Sequence, residues 1–343
     1  MTDNGQQEQQ AILRKEGRGV QVTLNRPHAI NALTTDMLET IQQALNIIEA
    51  GEAEVMFIDG AGERGLCAGG DVTMNLRFNR DQMAEFWEQE HDIIRRISQS
   101  AVPVVTFQDG ITMGGGVGIS AHAQHRIVTE RTRMAMPETR IGFIPDVGGS
   151  LLFAQAPGRL GVHLGLTAGD MTAGDAIATG FSDTYVESEQ LDALKHELLY
   201  GTKDIASTIQ EFASPAPESE LLQQRSWIDE VYVGQDVSEI LTNLDARKEP
   251  AAQQAAQNIR QMSPNALEMA YFAYQRAGEL NDLDRVLNME LAIGREMFDT
   301  LDMKEGVRAH IVDKDRNPQW EPARLEDVDH EWIQRVASAI PTR

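Results

Sequence analysis

Two glycine-rich segments constrain this chain more than any other feature. They are Gly65-Leu66-Cys67-Ala68-Gly69-Gly70-Asp71 and Gly114-Gly115-Gly116-Val117-Gly118. Each follows directly on an apolar run that reads as a buried strand, Val55 to Ile58 and Val104 to Phe107. Glycine at the end of a strand leaves backbone N–H groups open to close approach, because no side chain shields them. Loops of this kind serve as paired donors to an oxyanion, as a phosphate cradle or as a tight turn, and composition alone leaves all three open. No G-K-[ST] follows either loop and neither spells G-x-G-x-x-G, so a P-loop and a dinucleotide fold are not supported.

Strand and helix patterns alternate around these loops. In GVQVTLN, Val20, Val22 and Leu24 alternate with polar residues, as in a half-buried strand. In TTDMLETIQQALNIIEA, Leu38, Ile41, Leu45 and Ile48 recur at helical spacing, with Thr34 or Thr35 as candidate N-cap. This alternation predicts an α/β unit over residues 1–190, with largely parallel strands and crossover helices. From about Glu187 glycine thins and helical patterns dominate, as in ELLQQRSWIDEVY, PAAQQAAQNIRQM and LDRVLNMELAIGREMF. Residues 191–343 are therefore expected to form a helical region. The two prolines of SPAPES, 214–219, predict a loop between helices.

Composition excludes several function classes. A formal net charge of -23 repels nucleic acid and anionic membrane surfaces at long range. No apolar run approaches the length of a membrane span, and MTDNGQQEQQ carries neither an apolar signal core nor an Arg-rich transit pattern, so a cytoplasmic protein is expected. The single cysteine, Cys67, rules out an intrachain disulfide and a Cys-rich zinc site, and reads as a small packing residue. His122 and His125 have no third ligand nearby in the pattern and no G-x-S-x-G nucleophile exists, so neither a metal site nor a triad is expected. Met113, Met134 and Met136 read as core filling.

Four motifs in order decide the reading: NRPHAINAL (25–33), LCAGGD (66–71), GITMGGGVG (110–118) and MPETRIGFIPDVGGS (136–150). Together they resemble the signature order of the crotonase, or enoyl-CoA hydratase/isomerase, superfamily. That resemblance implies a spiral of ββα units and a coenzyme A thioester as the small-molecule substrate. It places CoA near Arg26, Ala29, Asn31 and Ala68, and the oxyanion donors at the N–H groups of Gly70 and Gly115. It also implies a homo-oligomer, with trimer or hexamer as the usual forms, and no cofactor beyond the CoA of the substrate itself.

Side chains choose the branch. Hydratases of this superfamily use two glutamates; the first position here is Gly118, while the second, Glu138, is kept. Asp146 stands where those enzymes usually carry glycine. Two carboxyls in a partly dry pocket have their pKa values pushed apart, which suits thioester hydrolysis. The pattern resembles the 3-hydroxyisobutyryl-CoA hydrolase branch, and MSPNAL (262–267), LNMEL (287–291), EGVRA (305–309) and DKDRNPQWEP (313–322) extend the likeness through the tail. The resemblance implies an acyl-CoA thioester hydrolase of valine breakdown, with Glu138 as nucleophile or base and Asp146 and Glu90 contacting the 3-hydroxyacyl group. Arg308, Lys314 and Arg316 are candidates to meet CoA phosphates or to lie free on the surface. The alternatives are an enoyl-CoA hydratase or isomerase working through Glu138 alone, and a noncatalytic CoA-binding protein.

Overall fold

The computed structural model describes residues 9–340, so most of the N-terminal stretch read above for targeting signals lies outside them. The strands are β1 (Ala11–Glu16), β2 (Gly19–Leu24), β3 (Val55–Gly60), β4 (Val104–Gln108), β5 (Ile111–Met113), β6 (His125–Val128), β7 (Arg133–Ala135) and β8 (Thr184–Tyr185). The larger sheet has the order β1-β2-β3-β4-β6-β8, antiparallel only at β1–β2. A smaller parallel pair, β5–β7, forms a second layer.

Period-two alternation explains how the large sheet is buried on both sides. Met56 and Ile58 point into the main core, where α1 (Thr35–Glu49) lays down Met37, Leu38, Ile41, Leu45 and Ile48. Val55, Phe57, Val105, Phe107 and Ile127 face the other way, against Leu191, Leu194 and Leu198 of one later helix and Ile205 and Ile209 of the next. Both α1 and the strands it covers follow the predicted pattern. Thr34 occupies the N-cap, but its hydroxyl donates to Gln10 Oε1 at 2.7 Å instead of capping the helix.

The chain climbs between the two layers. β4 is followed at once by β5 and then α3 (Gly115–Ala121); β6 is followed by β7 and, after a turn, α4 (Gly149–Gln155). This is the expected ββα repeat. The first glycine-rich segment joins the small layer through a parallel bridge between Cys67 and Thr112 and an antiparallel one between Gly65 and Gly110.

Beyond Tyr185 every described element is helical, and Ser214–Ser219, the SPAPES segment, joins the helices Ile205–Phe212 and Glu220–Gln223 as a loop. These later helices share the main core: Pro264–Leu280 packs along α4, and Leu283–Met297 packs along α2 (Arg80–Gln99). Met134 and Met136 are buried in that core, whereas Met113 is partly exposed. Among the described residues no helix is long and apolar enough to cross a membrane.

Candidate active site

The small layer brings the two glycine loops together. Cys67 N–H donates to the Ile111 carbonyl at 3.2 Å and Met113 N–H to that of Cys67 at 2.9 Å, so the chains run side by side up to the loops. Leu33 pins the first loop from the other side: its N–H donates to Gly69 O at 2.8 Å and its carbonyl accepts from Asp71 N–H at 2.9 Å. Gly70 and Gly115 are thereby adjacent, such that a Cβ on Gly115 would lie 3.4 Å from the Gly70 nitrogen. Among the described residues neither the Gly70 nor the Gly115 N–H donates a hydrogen bond. Two free, converging donors form the geometry that stabilises an oxyanion. The Cys67 thiol beside them is inert, since burial pushes its pKa up to about 12.

Three carboxyls surround these donors. Glu90, 3% exposed on α2, comes so close that a Cβ on Gly115 would lie 2.4 Å from its Oε1. Glu138 opens the 3-10 helix Glu138–Ile141 directly after Pro137, and its Oε1 would lie 2.6 Å from a Cβ on Gly114. Asp146, 8% exposed, sits in the turn before α4, its Oδ2 3.9 Å from Nε2 of His91. Glu90 Oε1 and Glu138 Oε2 are buried without a hydrogen-bond partner, a costly state for polar atoms, and both residues line the pocket.

Electrostatics follow from burial. Desolvation, then Asp146, raises Glu90 well above the ordinary glutamate range. Desolvation, then Asp146, does the same to Glu138, with Glu90 and Glu290 adding smaller pushes. Burial raises Asp146 to about 7. His91 offers no compensating charge, because burial and then Arg95 push its pKa down to about 3 and keep the ring neutral. The carboxyls therefore cannot all ionise near neutral pH, and one can accept a proton while another holds one.

The turn that carries Asp146 is strained and held at several points. Val147, a β-branched residue, takes φ 53 in the left-handed region, followed by Gly148 at φ 80. The Val147 carbonyl accepts from His122 Nε2 at 3.1 Å, so His122 is a structural donor. Glu290, on the helix Leu283–Met297, accepts from Gly148 N–H at 2.8 Å and Ser150 N–H at 3.0 Å. Val147 also fills the space beside Gly118, leaving no room there for a side chain.

The pocket wall is apolar: Met83, Phe86, Trp87, Ile141, Phe143, Met303 and Ile311 line it, with Ala29, Ala32 and Ala68 toward the first loop. Trp87 and Phe143 stack with ring centroids 5.2 Å apart. Ala29 and Ala68 thus line the pocket. The side chains of Arg26 and Asn31 do not. Asn31 is fully buried, donating to Ala61 O at 3.1 Å and Gly65 O at 3.0 Å. Arg26 pairs with Asp71 at 3.0 Å and donates to Ala32 O at 2.6 Å. Both brace the loop, because Asn31 at φ 54 needs its amide to close that turn.

Each tail motif has a job in holding this wall. Asp302, 1% exposed, receives Ser263 Oγ at 2.5 Å and Asn265 Nδ2 at 3.3 Å from the MSPNAL segment, and Glu321 N–H at 2.9 Å. Gly306 of EGVRA lies against the backbone of Ile141, next to Glu138. Arg308 is committed to Glu305, Asp313 and Asp315, so it folds the DKDRNPQWEP tail instead of facing a phosphate. Lys314 and Arg316 are exposed.

Glu290 is the residue that motif reading passed over, although LNMEL contains it. A signal existed: it shares the buried face of its helix with Val286, Leu287, Met289 and Ile293, where a lone glutamate must have a partner.

The enoyl-CoA hydratase/isomerase family pattern matches residues 20–337. A Xenopus laevis protein named "3-hydroxyisobutyryl-CoA hydrolase, mitochondrial" is 33% identical over 97% of this chain and 89% of its own length. The Homo sapiens protein of that name is 33% identical over 94% of this chain and 87% of its own. Among solved structures, a carnitinyl-CoA dehydratase from Mycobacterium thermoresistibile superposes with a TM-score of 0.91 at 38% identity, covering 95% of this chain and 96% of that one. An enoyl-CoA hydratase from Rhodobacter sphaeroides 2.4.1 gives 0.87 at 37% identity with the same coverage. With the crotonase fold and the paired glycine loops in place, the chain belongs to the enoyl-CoA hydratase/isomerase family, on the branch that holds the proteins named 3-hydroxyisobutyryl-CoA hydrolase.

Proposed function

We propose that this protein hydrolyses a short 3-hydroxyacyl-CoA thioester, with 3-hydroxyisobutyryl-CoA as the preferred substrate and valine breakdown as the setting. The observation that carries this is the meeting of two unpaired N–H donors, at Gly70 and Gly115, with the unpartnered carboxyls of Glu90 and Glu138. The names of the relatives support the same substrate.

In the proposed reaction the thioester oxygen accepts from Gly70 and Gly115 N–H, and negative charge grows on it as the carbonyl carbon is attacked. Glu138 delivers that attack, by its own carboxylate or by taking a proton from water. The C–S bond then breaks, CoA leaves as the thiolate and is protonated, and the acid takes its second oxygen from water directly or from Glu138, whose carboxylate water then restores. Asp146 and Glu90 hold the 3-hydroxyl and relay the proton. Single turnover in heavy-oxygen water tests the covalent route: label entering the Glu138 carboxyl marks a mixed anhydride opened at the Glu138 carbonyl, and label found only in the product acid counts against it.

The solved relatives are described as a dehydratase and a hydratase, which favours water addition as the second reading. Against it stands Gly118, which offers no second acid and has Val147 packed over it. Thiol release from 3-hydroxyisobutyryl-CoA, run beside acetyl-CoA and crotonyl-CoA, decides. Rapid release selective for the hydroxyacyl thioester supports hydrolysis; no release, with turnover of crotonyl-CoA, replaces it with hydration.

The rest of the proposal is a cytoplasmic homo-oligomer, a trimer or hexamer, that needs no cofactor beyond substrate CoA. The curated relatives are named mitochondrial, so cell fractionation tests the first point. Sedimentation tests the second and activity after chelation the third.

A further inference from the structure

We infer that Glu290 is a positioning residue of this site: its carboxyl group clamps the turn that carries Asp146 and keeps that side chain aimed into the pocket. Each Glu290 oxygen takes one backbone N–H of the turn, Oε2 from Gly148 at 2.8 Å and Oε1 from Ser150 at 3.0 Å. The residue is 1% exposed on an otherwise apolar helix face. A buried carboxylate is costly unless its hydrogen bonds are met, so its presence here answers a demand of the turn. That demand is visible in Val147, held at φ 53 between the Glu290 clamp and the His122 donor at 3.1 Å. A strained turn keeps its shape only where its surroundings over-determine it.

The clamp sits in a crowded interior. Glu90 and His91 reach the turn from α2, His122 from the end of α3, Glu138 from its 3-10 helix and Tyr274 from the helix Pro264–Leu280. Arg95 and Arg126 bear on the two histidines. Burial and Asp146 push Glu290 upward, while its backbone donors favour the charged form.

The kinetic test rests on the hydrolase reading; the clamp itself does not. Thiol release is measured against pH for wild type, Glu290→Gln, Glu290→Asp and Glu268→Gln. Glu268 is the control, a buried glutamate accepting Val237 N–H at 3.0 Å at a different helix start. For Glu290→Gln, kcat falls about 10- to 100-fold with KM little changed, the loss expected of a displaced catalytic group. Its acid limb also moves to lower pH, because Asp146, released from its buried position, regains solvent and titrates nearer its ordinary value. Merely structural damage lowers the rate at every pH without moving the limb. Glu290→Asp shortens the reach and loosens the same turn, so kcat falls and the limb moves in the same direction; Glu268→Gln changes neither.

A wild-type kcat or an unmoved limb in Glu290→Gln overturns the inference. Should that variant not fold, Glu290→Asp decides alone: a lowered kcat with a moved limb supports the clamp, and a wild-type kcat or an unmoved limb sinks it. Should wild type release no thiol, the functional reading fails separately. The carbon-13 carboxyl titration of Asp146 then decides, a change on Glu290→Gln supporting the clamp and none overturning it.

Discussion

Gly118 and Val147 interlock: a Cβ on Gly118 would lie 2.5 Å from the Cβ of Val147 and 3.1 Å from Cδ1 of Ile94. The helix that starts at the second glycine loop is thus pressed against the turn that aims Asp146, with no space between them. Substituting Gly118→Ala forces that turn outward. Overpacking of this kind destabilises by about 1–3 kcal/mol, and urea unfolding measures it. Gly118→Glu lowers thioester hydrolysis without creating crotonyl-CoA hydration, because Val147 occupies the place the new side chain needs. Rapid hydration by that variant would contradict the packing argument.

Glu138 trades stability for reactivity. Its Oε2 is buried without a partner, and burial plus Asp146 hold its pKa far above the ordinary range. Glu138→Gln therefore lowers kcat by at least about a hundredfold, the size of a lost acid–base or nucleophilic group. The melting temperature of the same variant also falls less steeply than that of wild type as pH rises, since the group whose ionisation burial disfavours is gone. Calorimetry and the thiol assay on one preparation check both halves.

Asp146 gives stability a pH dependence of known sign. Its carboxyl titrates near 3.8 when unperturbed and at about 7 in the fold, so the native state binds the proton more tightly. Where the unfolded chain holds fewer protons, stability falls as pH rises. The contribution is intact below the lower value, is lost between the two, and is flat above about 7. Asp146→Asn removes that slope; denaturation midpoints measured from pH 4 to 8 show it as a curve flatter than wild type.

Asp302 ties the tail to the pocket wall. Asp302→Ala leaves Glu321 N–H and the Ser263 hydroxyl without their acceptor, at a cost of about 1–3 kcal/mol. Met303 and Ile311, which line the pocket, then lose their anchor, so KM rises more than kcat falls. Hydrogen exchange speeds up over 301–321 in the variant and is unchanged in β2 to β4.

Much of this was legible in one dimension because it is local. Alternation of period two exposes β2, the apolar runs mark β3 and β4, and period 3.6 marks α1, since each depends on neighbours a few residues apart. The glycine loops were legible for the same reason, while Glu138 and Asp146 were singled out by the likeness of their motif to the family's. Glu90 needed the family likeness, because EQEH on an amphipathic helix reads equally as a wet surface.

Other features depend on contacts that no local pattern encodes. Glu290 meets the Asp146 turn across 142 residues, and only the packing of its helix on the core shows that the contact exists. Arg26 and Asn31 turned out to brace the first loop, since their partners Asp71 and Gly65 lie far along the chain. The sequence by itself determined the elements, the loops and the chemical inventory, all set by short-range propensity and spacing. Tertiary structure alone decided which N–H groups stay unpaired and which carboxyls share a dry interior, because hydrogen-bond satisfaction and burial are properties of the packed whole.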